Sequence, residues 1–160
     1  MLKALVLCLV VLLGVAWLKS RAGPPVESAA DFPFRLSQAE WKSRLSSESY
    51  RVLRQQSTER PHSSALNREK RTGEFLCGGC GEPLFSSADK FESGTGWPSF
   101  TRPLSAEAVG VQSDLKLLIP RSEVHCSNCG GHLGHVFGDG PAPSGKRYCI
   151  NGVALSFQEK

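Results

Sequence analysis

Two short cysteine pairs constrain this chain more than any other feature. Cys77-Gly78-Gly79-Cys80-Gly81 and Cys126-Ser127-Asn128-Cys129-Gly130 are one C-x-x-C-G motif written twice. Two residues between thiolates let both sulfurs reach a single ion, and the following glycine lets the backbone turn tightly beneath them. Four thiolates suit tetrahedral zinc with no open position, so Cys77, Cys80, Cys126 and Cys129 are expected to form a structural clamp. Between Cys80 and Cys126 lie 45 residues, so the clamp closes a long loop and ties distant segments together. The same cysteines could instead make two disulfides, an iron site or a redox pair. A redox C-x-x-C normally comes singly on a strand-to-helix turn, and no such turn is expected here.

The rest of the chain reads as a mainly β (α+β) single domain. It contains 16 glycines and 10 prolines in 160 residues, a density of turn formers that favours short strands over long helices. From Thr72 onward, apolar or alternating runs lie between glycine clusters. Strands are expected at 74–77, 83–86, 108–111, 115–119, 123–126, 132–137, 146–151 and 153–157, making small antiparallel sheets. Before them, Ser37 and Glu40 form a capping box for a short helix through Ala39, Trp41 and Leu45, and 48–55 suits a second. Residues 56–71 are polar and read as a surface loop.

The N-terminal segment stands apart. Ala4 to Leu18 is a 15-residue apolar run flanked by Lys3, Lys19 and Arg21. A spanning helix needs roughly 20 apolar residues and a signal-peptide core about 7–15. A signal peptide cleaved after Ala22 or Ala30 is therefore the expectation, with an uncleaved anchor as the alternative. Cys8 within the run acts as a small apolar residue. Residues 19–35 read as a linker, and the domain is placed at 31–160. Either reading exports that domain to a secretory pathway or periplasm, and a membrane is involved only if the segment is retained. Charge argues against nucleic acid. The net +4 falls to +2 once residues 1–30, with three cations and one anion, are set aside, and no basic stripe remains.

Subtracting the clamp and Cys8 leaves Cys149, in Arg147-Tyr148-Cys149-Ile150-Asn151. Arg147 and Asn151 are two residues away on either side, on the same face of a regular strand. A nearby cation lowers a thiol pKa. His132 and His135 are a close histidine pair, which could also be surface residues or extra metal ligands. A thiol beside His, Arg and Asn has the composition of a nucleophilic cysteine site, although a lone strand cysteine is commonly an inert core residue. Gly94-Thr95-Gly96-Trp97-Pro98 describes a tight loop presenting an indole, either as a lid on the core or as a wall for a small apolar group.

Together these residues resemble the methionine-R-sulfoxide reductases, the type-B enzymes. The likeness runs through Ser57–Pro61, the cysteine pairs, Gly96-Trp97-Pro98-Ser99-Phe100, Glu123–Cys126, His132-Leu133-Gly134-His135-Val136-Phe137 and Arg147-Tyr148-Cys149-Ile150-Asn151. It covers roughly residues 36–160. The resemblance implies two small antiparallel sheets with peripheral helices and zinc on the four paired cysteines. Cys149 would attack the sulfoxide sulfur of peptide-bound oxidised methionine. Trp97 would hold the methyl group with Phe137 packed nearby. His132 and His135 would deliver a proton to the departing oxygen. Asn151 would fix the substrate and the histidines, and Arg147 would stabilise the thiolate. The reaction would repair oxidised proteins. Thr95 stands where many family members carry a resolving cysteine, so thioredoxin or another external thiol would reduce the enzyme directly. Gly152 stands where the family usually has Ser, which predicts a looser strand end, and Leu117–Arg121 would shape a peptide groove. The competing reading is a zinc-ribbon binding module without activity.

Overall fold

The computed structural model describes residues 32–115 and 120–160. Helix α1 (Gln38–Arg44) begins with the expected capping box. The Ser37 hydroxyl accepts from the Glu40 N–H at 3.3 Å, and the Glu40 carboxylate accepts from the Ser37 N–H at 2.7 Å. Two donors that a first helical turn leaves open are thereby satisfied. Helix α2 (Ser47–Gln55) is capped by Ser46 and stops where Gln56 turns left-handed, at φ 53°. Trp41 on α1 and Val52 and Leu53 on α2 are buried.

The strands are β1 (Gly73–Cys77), β2 (Pro83–Ser86), β3 (Lys90–Phe91), β4 (Ser99–Phe100), β5 (Val109–Asp114), β6 (Arg121–Cys126), β7 (His132–Phe137), β8 (Arg147–Ile150) and β9 (Leu155–Glu159). They form two antiparallel sheets, ordered β2-β1-β9 and β3-β4-β8-β7-β6-β5. This is the mainly β, two-sheet architecture expected. Aromatic side chains join the sheets: Phe100 of β4 stacks on Phe85 of β2 at 4.4 Å and meets Phe75 of β1 edge-on at 4.9 Å. All three rings are fully buried, and burying each contributes roughly 1.5–3 kcal/mol. From β8 a 3-10 turn, Gly152–Ala154, carries the chain directly into β9. The strand bearing Cys149 thus leads from the large sheet to the small one.

Several expectations need correction. Strands β3 and β4 were not foreseen, because two residues carry no readable alternation. Leu115 lies outside any strand, and 116–119 lie outside the described residues. The stretch 32–35, read as linker, belongs to the fold. The Phe34 N–H donates to the Asn128 carbonyl at 2.8 Å, and the Phe32 ring meets His125 edge-on at 5.6 Å. The apolar run Ala4–Leu18 and the linker through residue 30 lie outside the described residues. Among the described residues, no helix is long and apolar enough to cross a membrane.

Candidate active site and metal centre

The two cysteine knuckles have the same build. Cys77 ends β1 and Cys126 ends β6. Each carbonyl accepts from the glycine four residues on, Gly81 and Gly130, at 2.8 Å. Those glycines hold φ at 84° and 67°, a conformation that explains the residue after each pair. The four sulfurs lie within 4.8 Å of one another, with Cys77–Cys129 at 3.7 Å and Cys80–Cys126 at 3.6 Å. A tetrahedron with zinc–sulfur bonds of about 2.3 Å has edges of about 3.8 Å, so the donors fit zinc. The cross-pair separations are far beyond a disulfide bond of about 2.05 Å. Cys77, Cys126 and Cys129 are buried and Cys80 is half-buried. The Asn128 amide donates to the Cys80 sulfur at 3.6 Å. With four thiols and no open position, a bound zinc would hold β1 to β6 and perform no chemistry on substrate.

Cys149 sits in β8 between β4 and β7. Its register partners are Ser99 on one side and His135 on the other. It is half-buried, and burial pushes its thiol pKa up; the Thr95 hydroxyl and the Arg147 guanidinium pull it down without reversing the shift. Arg147 is itself held by a bidentate pair with Asp139, at 2.9 and 2.8 Å. Its guanidinium also lies over the Phe137 ring, 4.6 Å from the centroid, a placement worth about 0.5–2 kcal/mol as a cation–π contact.

His132 and His135 are three residues apart, a spacing that puts side chains on opposite faces of a regular strand. The structure overrides this with a β-bulge. Val124 pairs with Gly134 and His125 pairs with His132, so Leu133 is an extra residue in β7. The two imidazoles therefore share a face, edge to face at 5.5 Å. Each rests on a carboxylate that the sequence reading did not assign to the site. The His132 Nδ1 is 2.6 Å from Glu123, and the His135 Nε2 is 2.8 Å from Asp114. Glu123 also accepts from Gln112 at 2.9 Å and from Gln56 at 3.2 Å. Asp114 accepts from Arg121 at 2.7 Å. The His132 Nε2 is buried with no hydrogen-bond partner among the described residues, which leaves it open to a ligand atom. Burial lowers the His135 pKa, while Asp114 pulls it upward.

Asn151 uses both ends of its amide inside the protein. Its NH2 donates to the Leu133 carbonyl at 2.8 Å, as does its backbone N–H, and its oxygen accepts from the Glu59 N–H at 2.9 Å. Asn151 thus clamps the bulge that brings the histidines together. Glu59 lies in the segment read as a surface loop, yet it is 4% exposed. Its carboxylate accepts from Gly152 at 2.6 Å and Val153 at 3.0 Å, and its carbonyl accepts from the Trp97 indole at 3.2 Å. Trp97 is half-buried, just before the β4–β8 pairing. Gly152 does not loosen the strand end. The Glu59 carboxylate holds its N–H, and the space a Cβ would need is filled by Ser64. The structure thus gathers Cys149, His132, His135, Arg147 and Phe137 about one face of the large sheet. Trp97 and Asn151 are joined to that face through Glu59. Glu59, Asp114 and Glu123 had no distinctive sequence context, since an isolated carboxylate reads as surface.

This chain belongs to the SelR domain family, whose model matches residues 45–159. Among its relatives, the protein named peptide methionine sulfoxide reductase MsrB from Methanosarcina barkeri is 56% identical over 122 residues, covering 76% of this chain and 86% of that protein. The Methanosarcina mazei protein of the same name is 53% identical over 124 residues, covering 78% and 89%. That of Leptospira interrogans is 49% identical over 124 residues, covering 78% and 95%.

Proposed function

We propose that this protein reduces the R epimer of methionine sulfoxide in oxidised peptides and proteins to methionine, with Cys149 as nucleophile. The observation that carries this reading is the pairing of Cys149 with His135 across β7–β8, in a chain of the SelR domain family. The chain acts as an oxidoreductase on methionine sulfoxide. A sulfoxide oxygen leaves only when protonated, so the site needs a soft nucleophile and an acid together. The Cys149 sulfur attacks the sulfoxide sulfur. The oxygen takes a proton and ends on Cys149 as a sulfenic acid, while the methionine sulfur gains the electron pair.

Burial keeps the Cys149 thiol above its ordinary value, so the resting site holds the proton that the oxygen needs. His135, kept below its ordinary value by burial, is neutral and free to receive it. His132 is backed by Glu123 at 2.6 Å and has an open Nε2, so it is placed to hand a proton to the oxygen. Trp97 and Phe137 supply the apolar side for the methyl group. An oxygen-binding side and a methyl-binding side around one sulfur, with the peptide held on a third, accept one epimer and reject the other. Two equivalents of an external thiol, such as thioredoxin or dithiothreitol, return the sulfenic acid to thiol with release of water and a disulfide.

The test is a short peptide carrying both epimers, incubated with the full chain and dithiothreitol and followed by chromatography, with Cys149→Ser alongside. Loss of the R epimer alone, abolished in the variant, is the expected result. If a folded, zinc-loaded protein leaves both epimers untouched, the enzymatic reading fails and a binding module takes its place.

A further inference from the structure

The Thr95 hydroxyl lies 3.9 Å from the Cys149 sulfur, and a chain of hydroxyls runs behind it. Thr95 Oγ1 is 2.8 Å from Ser93 Oγ, and Ser93 Oγ is 2.7 Å from Ser99 Oγ. Ser99 Oγ donates to the Trp97 carbonyl at 3.2 Å. The Thr95 N–H also reaches Ser93 Oγ, at 3.4 Å. Ser99 is fully buried, and it is the residue paired with Cys149 across β4–β8. Each hydroxyl both donates and accepts, so the chain has two complete settings. With Cys149 as thiol, S–H donates to Thr95, Thr95 to Ser93, Ser93 to Ser99 and Ser99 to the carbonyl. With Cys149 ionised, Thr95 turns to donate to sulfur, Ser93 to Thr95 and Ser99 to Ser93, which releases the Trp97 carbonyl. Neither setting leaves a buried hydroxyl in the chain without a role.

We propose that Thr95 is a catalytic residue of this site: oriented by Ser93 and Ser99, its hydroxyl donates to the Cys149 sulfur whenever that sulfur is ionised. The proposal rests on the reading of Cys149 as the nucleophile. It gives a purpose to the residue that stands in place of a resolving cysteine. A hydroxyl cannot form a disulfide, but it can hold the thiolate and then hydrogen-bond to the sulfenic acid that awaits an external thiol. The direction agrees with the downward pull of Thr95 on the thiol pKa. The other charged or titratable groups facing Cys149 are Arg147 on its own strand, Asp139 behind Arg147, and His135 with His132 on β7. Glu92, next to Ser93, is exposed and pairs with Lys90 at 3.7 Å.

The test reads the thiol directly, without a sulfoxide. Iodoacetamide alkylation of Cys149 is measured from pH 5 to 10 in the full chain, with the Cys149→Ser protein as the blank for the remaining cysteines. Thr95→Val keeps the shape and removes the hydroxyl. It is expected to slow alkylation at pH 7 by about five- to tenfold and to move the midpoint of the profile up by about one pH unit, the equivalent of a tenfold change. Thr95→Ser is expected to restore the profile. Ser93→Ala, which removes the orienting partner, is expected to fall between. Thermal midpoint and zinc content establish that each variant is folded. A folded Thr95→Val with the parent profile overturns the proposal. If that variant does not fold, an unshifted profile in Ser93→Ala overturns it. Alkylation does not depend on the substrate, so failure here is distinct from failure of the reductase reading.

Discussion

Removing the metal clamp should lower stability by an amount the topology sets. Cys77 ends the central strand of the small sheet and Cys126 ends β6 of the large one, with Cys80 and Cys129 in the turns that follow. The ion closes a loop of 45 residues between Cys80 and Cys126. The chain-entropy relation for a cross-link over such a loop gives about 4 kcal/mol at 25 °C. For a fold of this size, each kcal/mol moves the thermal midpoint by roughly 3–5 °C, so the drop should be about 12–20 °C. Cys126→Ser, with a fully buried ligand, is the perturbation of choice. The assay is thermal unfolding by circular dichroism, with zinc measured by colorimetric release from the parent protein. Cys80→Ser should do less harm, because that sulfur is half-buried and water can replace it. A parent protein that holds no zinc, or a Cys126→Ser protein with an unchanged midpoint, would refute the clamp.

Three further outcomes follow from the site. Gly134→Ala drives a Cβ into the Cys149 carbonyl; destabilisation of about 1–3 kcal/mol with a fall in kcat is expected, read by urea unfolding and turnover. Burial raises the Glu59 pKa above its ordinary 4.5, so the folded state binds that proton more tightly than the unfolded chain. Its contribution is present below that value and is lost as pH rises through the raised one. Glu59→Gln should therefore remove this segment of the stability–pH curve, and an unaltered curve would count against the buried-carboxylate reading. His135 is held below its ordinary 6.5, so its contribution is present above that value and is lost as pH falls through the depressed one. Asp114→Asn removes an upward pull and should steepen the loss of thermal stability between pH 7 and 5; a shallower loss would argue against the His135–Asp114 pairing.

The cysteine knuckles were legible in the sequence because their geometry is local: two intervening residues and a glycine suffice. Strands β1, β2, β7 and β9 were legible for a similar reason, as alternation between turn formers. The face that a residue occupies was harder to read. A two-residue period separates His132 from His135, and the bulge at Leu133 that unites them depends on Asn151, 18 residues away. Glu59 looked like loop surface because its partners, Asn151, Gly152 and Trp97, come from elsewhere in the chain. The chain has 15 acidic residues, and nothing in their immediate neighbours marks Asp114 and Glu123 as the ones that back histidines. The hydroxyls of Ser93, Thr95 and Ser99 are ordinary loop residues until β4 pairs with β8.

The extra residue in β7 makes this site sensitive to parity. Deleting one residue between His132 and His135 would leave them two apart, which an unbroken ladder places on one side of the sheet, so the imidazoles would stay together with no bulge for Asn151 to hold. Adding one while the bulge persists would put them on opposite sides, and a common face would then require the bulge to be lost or a second one to form. The bulge and the three-residue spacing are therefore one constraint, each needed because of the other. A homologue can exchange Leu133 for another apolar residue, whereas a chain of this family one position longer there that keeps the bulge should hold its fold and zinc while losing the paired histidines, and one a position shorter should keep them paired on a regular β7.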